Sequence, residues 1–379
     1  MRKLRVAVLF GGRSAEHEIS RISALAVLRN LDPKKYEVVP IAIERDGRWL
    51  LQDKTKLLAN AKDALPVYKN TPEVLFSQKV NNQSLVVLNS SAQKRKNAKT
   101  QKRFDVVFPV LHGPMGEDGT IQGFLELAGI PYVGSGVLAS AVGMDKEVAL
   151  RLVSQAGVLV PPYKVFRQWQ WKNKKVIKEE VAHDLSWPVF VKPARLGSSV
   201  GVSKVKSDSD FFKACEAAFG YDDKIIIEKA ISAREIECAL LGDSETLVAS
   251  IPGEIIPSAK HEFYSYEAKY LDPDGAALKI PADLDPALTR QTRDLAKKCF
   301  LVLECEGMAR IDFFLEKGTD LLYFSEVNTI PGFTSISMYP KMMEASGVSY
   351  PKLLDKLIQL AIKRAKAKKS LTSAYRKTS

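Results

Sequence analysis

The chain has 379 residues, 46% of them hydrophobic and 26% charged, with a formal net charge of +12. That length allows two or three domains with real cores. Four scattered cysteines without a C-x-x-C give no ground for a zinc site or a disulfide framework, and they fit a reducing compartment. The charge is local: Gln93–Arg103 and Ala361–Ser379 together hold thirteen basic residues and no acid, so the rest is close to neutral. Such segments can bind nucleic acid, but no helix-turn-helix, zinc finger or aromatic-rich basic sheet accompanies them. A solvated basic loop and tail is the expected outcome.

In chain order, Leu4–Phe10 is continuously apolar and ends at Gly11-Gly12. This predicts a buried parallel strand feeding a helix over Ala15–Leu31. The run is too short for a signal-peptide core and nothing else is long enough to cross a membrane, so a cytoplasmic location is expected. The turn Gly11–Glu18 sits where a dinucleotide fold would bind pyrophosphate, but it lacks G-x-G-x-x-G. Glu16 and Glu18 would repel phosphate despite the helix N-terminus. A substrate ammonium suits Glu16 better; the structural alternative makes Ser14 the N-cap, with acidic first-turn residues.

Tyr36–Ile43 is the next predicted strand. Residues 46–103 are polar and irregular and read as an insertion. Asp105–Leu111 is a further buried strand, followed by the glycine-rich turn His112–Gly119. His112 either lines the same crevice or is a satisfied structural histidine. Gly119–Ala128 reads as a helix and Ile130–Val133 as a short strand, which makes an α/β unit with its ligand edge at the strand C-termini.

Asp145 is expected to cap a helix over Lys146–Ala156, closed by Gly157. Strands follow at Val189–Lys192, Val200–Val205 and Lys224–Glu228, around a helix at Asp210–Phe219. The turn Gly197–Gly201 is rich in small residues whose amides can form an anion-binding concavity. It is not a Walker loop, since Gly-Lys-Ser/Thr is absent, and alone it would be a plain hairpin loop. Lys192, at the end of the preceding strand, is well placed to meet phosphate, and Lys146 supplies a second candidate cation. The strand Ile225–Glu228 continues into Lys229-Ala230-Ile231, where backbone groups suit adenine and the Glu228 carboxylate suits a ribose. A core strand with an exposed end has the same sequence. Tyr264–Tyr270 carries three tyrosines and a lysine in a polar run, which suggests a loop that closes over ligand.

Glu235–Leu241, Thr246–Ser250 and a hairpin from Ala309 to Asn328 form a third unit, with helices Pro286–Leu303 and Tyr350–Lys366 packed on it. In the hairpin, a turn centred on Thr319 sets Asp312 opposite Glu326 unless a bulge intervenes. Arg310 shares a face with Asp312, and Asn328 shares one with Glu326. Two carboxylates and an amide form an oxygen-only set that suits Mg²⁺. The alternative is two acids on a solvated strand face. Beyond Lys366 a disordered tail is expected.

With these motifs assembled, the chain resembles the ATP-grasp D-alanine–D-alanine ligases over about residues 3–365. The carrying segments are Val8–Glu18, His112–Gly119, Gly134–Ser140, Met144-Asp145-Lys146, Val191–Gly201, Tyr264–Tyr270 and Glu326–Thr334. The resemblance implies an α/β (α+β) ATP-grasp fold of three domains. These are an N-terminal parallel-sheet domain at 1–144, a central domain at 145–235 and a C-terminal domain at 236–366, with a basic tail at 367–379 and ATP between the last two domains. It implies that Lys146, Lys192 and Ser199 hold ATP phosphates, and that Glu228, Lys229, Ala230, Ile231 and Glu235 frame the adenosine. Asp312, Glu326 and Asn328 would bind two Mg²⁺, with Mn²⁺ as a substitute.

For the substrates, Glu16 would take the first D-alanine's ammonium in a network with Ser198 and Tyr270. Lys269 joins this catalytic set, and His112 and Tyr266 border the substrate. Arg310 and the Gly332 amide would stabilise the oxyanion, while Ser337 and Met338 would place the second D-alanine's carboxylate. The family reaction phosphorylates the first carboxylate with ATP, and the second amine then attacks the acylphosphate. A homodimer is the family habit. Ser265 replaces the lid Asp common in the family, and Leu196 stands where some members have Glu. Tyr270 favours the dipeptide over a D-lactate depsipeptide. The Arg310→Met change is expected to spare the fold and lose turnover.

Overall fold

The computed structural model describes residues 2–76, 85–88, 103–258, 260, 262, 269, 272 and 274–371. Its first sheet is built on β1 (Leu4–Gly11), with α1 (His17–Asn30) behind it and β2 (Tyr36–Ile43) parallel beside it. Both faces of β1 are covered, as a parallel strand requires. Val6, Val8 and Phe10 enter one core, and Ala7 and Leu9 enter another.

Residues 46–103 are not an insertion in the sense the sequence suggested. They contribute β3 (Trp49–Leu51), α2 (Lys54–Asn60), β4 (Glu73–Phe76) and β5 (Leu85–Leu88). These three strands continue the sheet antiparallel from β2, in the order β5-β4-β3-β2-β1, and β6 (Val106–Val110) closes the other side of β1 in parallel. They bury Leu50, Val74, Phe76 and Leu85. Strands of three or four residues carry too few periods of alternation to stand out from polar flanks. Ile130–Val133 forms only a single parallel bridge, from Val107 to Tyr132, and not a strand.

Next come α3 (Thr120–Leu127), α4 (Val137–Met144) and α5 (Lys146–Gln155). Asp145 caps α5 as expected, accepting from the Val148 amide. The second sheet is antiparallel throughout. Its members are β7 (Tyr163–Arg167), β8 (Val189–Pro193), β9 (Ser203–Val205) and β10 (Lys224–Lys229), in the order β7-β10-β8-β9. Helices α6 (Lys174–Asp184) and α7 (Phe211–Phe219) cover it. The strand expected from Val200 begins only at Ser203, because Gly197–Val202 is spent in turns.

The third sheet holds β11 (Ala233–Gly242), β12 (Val248–Ala249), β13 (Gly253–Pro257) and β14 (Ala276–Lys279). After α8 (Pro286–Val302) it gains β15 (Gly307–Glu316) and β16 (Leu322–Asn328), then come α9 (Met338–Ala345) and α10 (Tyr350–Ser370). The order is β14-β13-β11-β15-β16. Met308, Ile330, Phe333, Leu353 and Leu357 share one core with Val6, Val8 and Phe10, so the first and third sheets are packed together.

Helix α10 continues to Ser370, past the expected boundary at Lys366, and several of its basic residues have partners. Arg364 donates to the carbonyls of Gly134 (2.6 Å) and Tyr132 (2.8 Å), Lys363 pairs with Asp243 and Glu245, and Lys368 with Glu126. Residues 372–379 and most of Gln93–Arg103 lie outside the described residues. Among the described residues, ending the chain after Lys366 removes the exposed Lys368 pair with Glu126, and such pairs contribute about 0–1 kcal/mol. Full turnover is expected from that truncation, with a melting temperature lower by no more than about 4 °C. A folded but inactive truncation would contradict this.

Candidate active site

The three sheets meet at a cavity of about 690 Å³ bordered by Glu16, His112, Glu117, Ser198, Glu237, Lys269, Arg310, Glu326, Asn328, Gly332, Ser337 and Met338, among others. The hairpin supplies its floor. In β15 and β16, Asp312 pairs with Glu326 and Arg310 with Asn328. A bulge lies between Asp312 and Phe313, since Phe313 pairs with Phe324 and Ser325 is the extra residue. The turn alone would set the register one residue off, and the bulge restores the facing pair. Bulges commonly re-aim side chains beside active sites.

On this floor Arg310 donates from Nε to Asp312 Oδ1 and from Nη2 to Oδ2, both at 2.7 Å. Asn328 Nδ2 donates to Asp312 Oδ2 at 3.0 Å. The Arg310 guanidinium is fully charged: burial opposes this, and Asp312 and Glu237 outweigh it. Burial also opposes ionisation of Glu326, but Lys146, Lys269, Arg310 and Lys192 together hold its pKa at about 2. Burial pushes Glu235 up to about 6, with Lys269 opposing.

Asp312, Glu326 and Asn328 fit a hard cation by donor type. Among the described residues no three His, Cys, Asp or Glu side chains form a ready-made metal cage. Two carboxylates and an amide are donor types found in Mg²⁺ sites whose other positions are filled by phosphate and water.

The phosphate-binding candidates are paired with acids. Lys146 donates to the Leu196 carbonyl at 2.8 Å and lies 3.4 Å from Glu326. Lys192 is bonded to Glu228 and lies near the rings of Phe190 and Phe314. Ser198 and Ser199 both have positive φ, 54° and 57°, a conformation that disfavours L-residues and turns amides toward a concavity. The base of this loop is fixed by charge. Arg195 forks onto Asp222, and buried Lys224 reaches Asp145 and Glu147 at the start of α5.

Among the residues expected to frame adenosine, Glu228 is buried. The amides of Lys229 and Ala230 are already donated to the carbonyls of Pro162 and Pro188. Those two N–H groups are therefore spent on structure, and the Ile231 amide has no backbone partner among the described residues. Glu235 faces Phe314 across β11 and β15.

Glu16 reaches across the cavity to Ser198 Oγ, which donates to it. Its carboxylate passes between two glycines: a Cβ at Gly113 would lie 2.6 Å from Glu16 Oε2, and one at Gly197 would lie 3.1 Å away. Ser14 is not the N-cap. Its hydroxyl donates to the His112 carbonyl at 2.6 Å, and the helix begins beyond Glu16. Glu18 points away from the cavity toward Arg21 and Arg45.

His112 is a clamp. Its Nδ1 donates to the Ile330 carbonyl at 3.1 Å, and its Nε2 lies 2.9 Å from Ser23 Oγ. Ser23 Oγ also accepts from the Phe333 amide at 3.3 Å. The segment carrying Gly332 is thus tied to the first sheet. Beyond it, Ser337 accepts from Thr334 and precedes α9, whose free N-terminal amides suit a carboxylate. Met338 is buried at the cavity wall. Tyr266 and Tyr270 lie outside the described residues, so of the expected closing loop only Lys269 is placed at the cavity.

Sequence reasoning passed over two acids. Glu237 continues the alternation from Glu235 onto the same face, which was a legible signal. Glu117 lies 3.6 Å from His112 Nδ1. Burial pushes Glu117 up to about 7, with His112 opposing and the Glu16 and Glu326 charges adding to the rise. A carboxyl raised from its ordinary 4.5 favours the folded state fully below that value, and this contribution is lost as pH rises through about 7. The Glu117→Gln variant has no such loss. Its melting temperature relative to the parent is therefore expected to climb from about pH 5 to pH 8 in thermal melts. A flat difference would contradict the assignment.

Comparison with known proteins accords with this geometry. The family model described as D-ala D-ala ligase N-terminus matches residues 5–135, and that described as D-ala D-ala ligase C-terminus matches 152–359. The D-alanine–D-alanine ligase A of Bradyrhizobium diazoefficiens is 50% identical, over 98% of this chain and 99% of its own. The D-alanine–D-alanine ligase of Caldicellulosiruptor bescii is also 50% identical, over 98% of each chain. Among solved structures, the D-alanine–D-alanine ligase from Coxiella burnetii superposes with a TM-score of 0.83 at 37% identity, covering 98% of this chain and 97% of that one. The VanG D-Ala:D-Ser ligase from Enterococcus faecalis gives 0.81 at 37%, covering 95% and 100%. With an ATP-grasp architecture, a cavity bordered by these side chains, and relatives matched over nearly their full length, this chain belongs to the D-alanine–D-alanine ligase family.

Proposed function

We infer that this cavity joins two D-alanines at the expense of ATP. The chain is an ATP-dependent D-alanine–D-alanine ligase of peptidoglycan precursor synthesis, in line with its relatives. The observation that carries the substrate assignment is convergence: Glu16, Ser198, Arg310, Glu326, Asn328, Gly332 and Ser337, from separate elements, border one cavity.

Glu16, held by Ser198, accepts the ammonium of the first D-alanine and sets its carboxylate above Arg310. Lys146 and Lys192 exchange Glu326 and Glu228 for ATP phosphates, and Ser199 adds a donor from the loop. Glu228, Lys229, Ala230, Ile231 and Glu235 enclose the adenosine, with the Ile231 amide as the free donor. Asp312, Glu326 and Asn328 would hold Mg²⁺, two ions in the full complex, with Mn²⁺ able to substitute, and a cation held there would supply positive charge to the phosphates. Phosphoryl transfer needs this positioning and charge more than a covalent nucleophile.

The first carboxylate attacks the terminal phosphorus and releases ADP. The second amine then attacks the acyl carbon, and phosphate leaves. Arg310 and the Gly332 amide face the oxygen on which charge develops. Ser337, Met338 and the N-terminus of α9 receive the second D-alanine's carboxylate. Lys269, Tyr266 and Tyr270 complete the closed site, and His112 fixes the Gly332 segment. Among the described residues no helix is long and apolar enough to cross a membrane; a cytoplasmic homodimer is proposed.

The test is phosphate release from ATP and Mg²⁺ with D-alanine as the sole amino acid, with dipeptide identified by mass. Parallel arms contain L-alanine, D-alanine with D-lactate, and D-alanine with D-serine. Release with D-alanine alone is expected. Silence there with turnover in the D-serine or D-lactate arm would overturn the substrate and keep the mechanism.

A further inference from the structure

Glu237 stands on the cavity face of β11, directly opposite Asp312. It is 4% exposed and borders the cavity. Its Oε2 lies 3.1 Å from Arg310 Nε, yet makes no hydrogen bond. The guanidinium instead spends its fork on Asp312. Arg310 therefore has two carboxylate neighbours and is bonded to one. Glu237 thus faces the guanidinium by charge without an aligned hydrogen bond, and a turn of the guanidinium toward it would supply one.

Asp312 is also the central member of the metal set. Both of its oxygens are occupied by Arg310, and Oδ2 also receives Asn328. Oδ2 thus has both lone pairs engaged and Oδ1 has one left, so a cation at Asp312 competes with Arg310 for the charge and the lone pairs of this carboxylate. A buried guanidinium stripped of its partner is strongly destabilised unless another carboxylate receives it. Glu237 is the carboxylate already within 3.1 Å.

We propose that Glu237 is the alternate anchor of Arg310, receiving its guanidinium when a divalent cation takes Asp312 and so keeping Arg310 aimed at the reacting carbonyl. Glu237 is a positioning residue and touches no reactant. It lowers the cost of metal binding by compensating the arginine that the metal displaces. This inference rests on the proposed metal role of Asp312, Glu326 and Asn328.

The experiment measures Mn²⁺ binding to the full chain with ADP present, by electron paramagnetic resonance. The proteins are the parent, Asp312→Asn, Glu237→Gln, Glu237→Asp, Arg310→Met and the Glu237→Gln/Arg310→Met double variant. Loss of a residue that supports a ligand typically weakens metal binding about 10–100-fold, and Glu237→Gln is expected to fall in that range. Glu237→Asp keeps the carboxyl group and is expected to recover most of the affinity. With Arg310 already absent there is nothing to anchor, so adding Glu237→Gln is expected to cost no further affinity.

Parent-like binding by Glu237→Gln would overturn the anchor and leave the metal assignment standing. An undiminished loss in the Arg310→Met background would also overturn it, because Glu237 would then act as a general charge. No protein-dependent Mn²⁺ signal in the parent, or parent-like binding by Asp312→Asn, would remove the metal assignment and the anchor with it.

Discussion

Replacing Arg310 by methionine is expected to lower turnover by at least about 10²–10³-fold, the typical cost of one oxyanion donor. The guanidinium sits on the hairpin floor, side by side with the candidate metal ligands, and in the proposed reaction it faces the oxygen on which charge develops. The sequence suggested that this variant would fold normally, and the structure revises that. Asp312 and Glu237 both lie against the guanidinium, and breaking a buried ion pair by removing one partner costs about 3–5 kcal/mol. A lower melting temperature is therefore expected alongside the lost turnover. Arg310→Lys separates the two effects: it keeps the charge and much of the stability but cannot form the bidentate fork. Near-parental turnover in the methionine variant would remove Arg310 from the reaction.

The Gly113→Ala variant is expected to lose roughly 10²-fold in kcat/KM for D-alanine, about 2.7 kcal/mol, with equilibrium ATP binding little changed. Gly113 has φ +75°, and its Cβ would lie 2.6 Å from Glu16 Oε2. Glu16 cannot retreat freely, since Gly197 borders its other side and Ser198 holds it. Gly318→Ala is the control. It also has a positive φ, +84°, but nothing lies within 4 Å of its added carbon. An alanine there carries the backbone cost of about 1–2 kcal/mol without touching the site, so it should lower stability and leave kcat/KM alone. Equal, near-parental kcat/KM in the two alanine variants would show that crowding Glu16 at Gly113 does not impair the site.

Much of this site was legible along the chain. Period-two alternation set Arg310 and Asp312 on one face and Glu326 and Asn328 on another, and the hairpin brought the two together. Glu237 carries the same period from Glu235, but its partners Arg310 and Asp312 stand on β15, more than seventy residues away in the chain. His112 was ambiguous for a similar reason: its partners, Ser23 and Ile330, are distant in the chain. The short strands of residues 46–103 were missed because three or four residues carry too few periods of alternation to stand out from polar flanks.

What the sequence by itself determined was the order of the main strands and helices, the residue types at the site and their alternation along each strand. These follow from local backbone geometry and from burial, which act over a few residues. Only the tertiary structure decided the bulge at Ser325, the passage of Glu16 between Gly113 and Gly197, the clamp from His112 to the Gly332 segment, and the two carboxylates around Arg310. Each depends on atoms from distant segments meeting within about 3 Å, a distance set by packing and charge pairing across strands and not by the residues beside them in the chain.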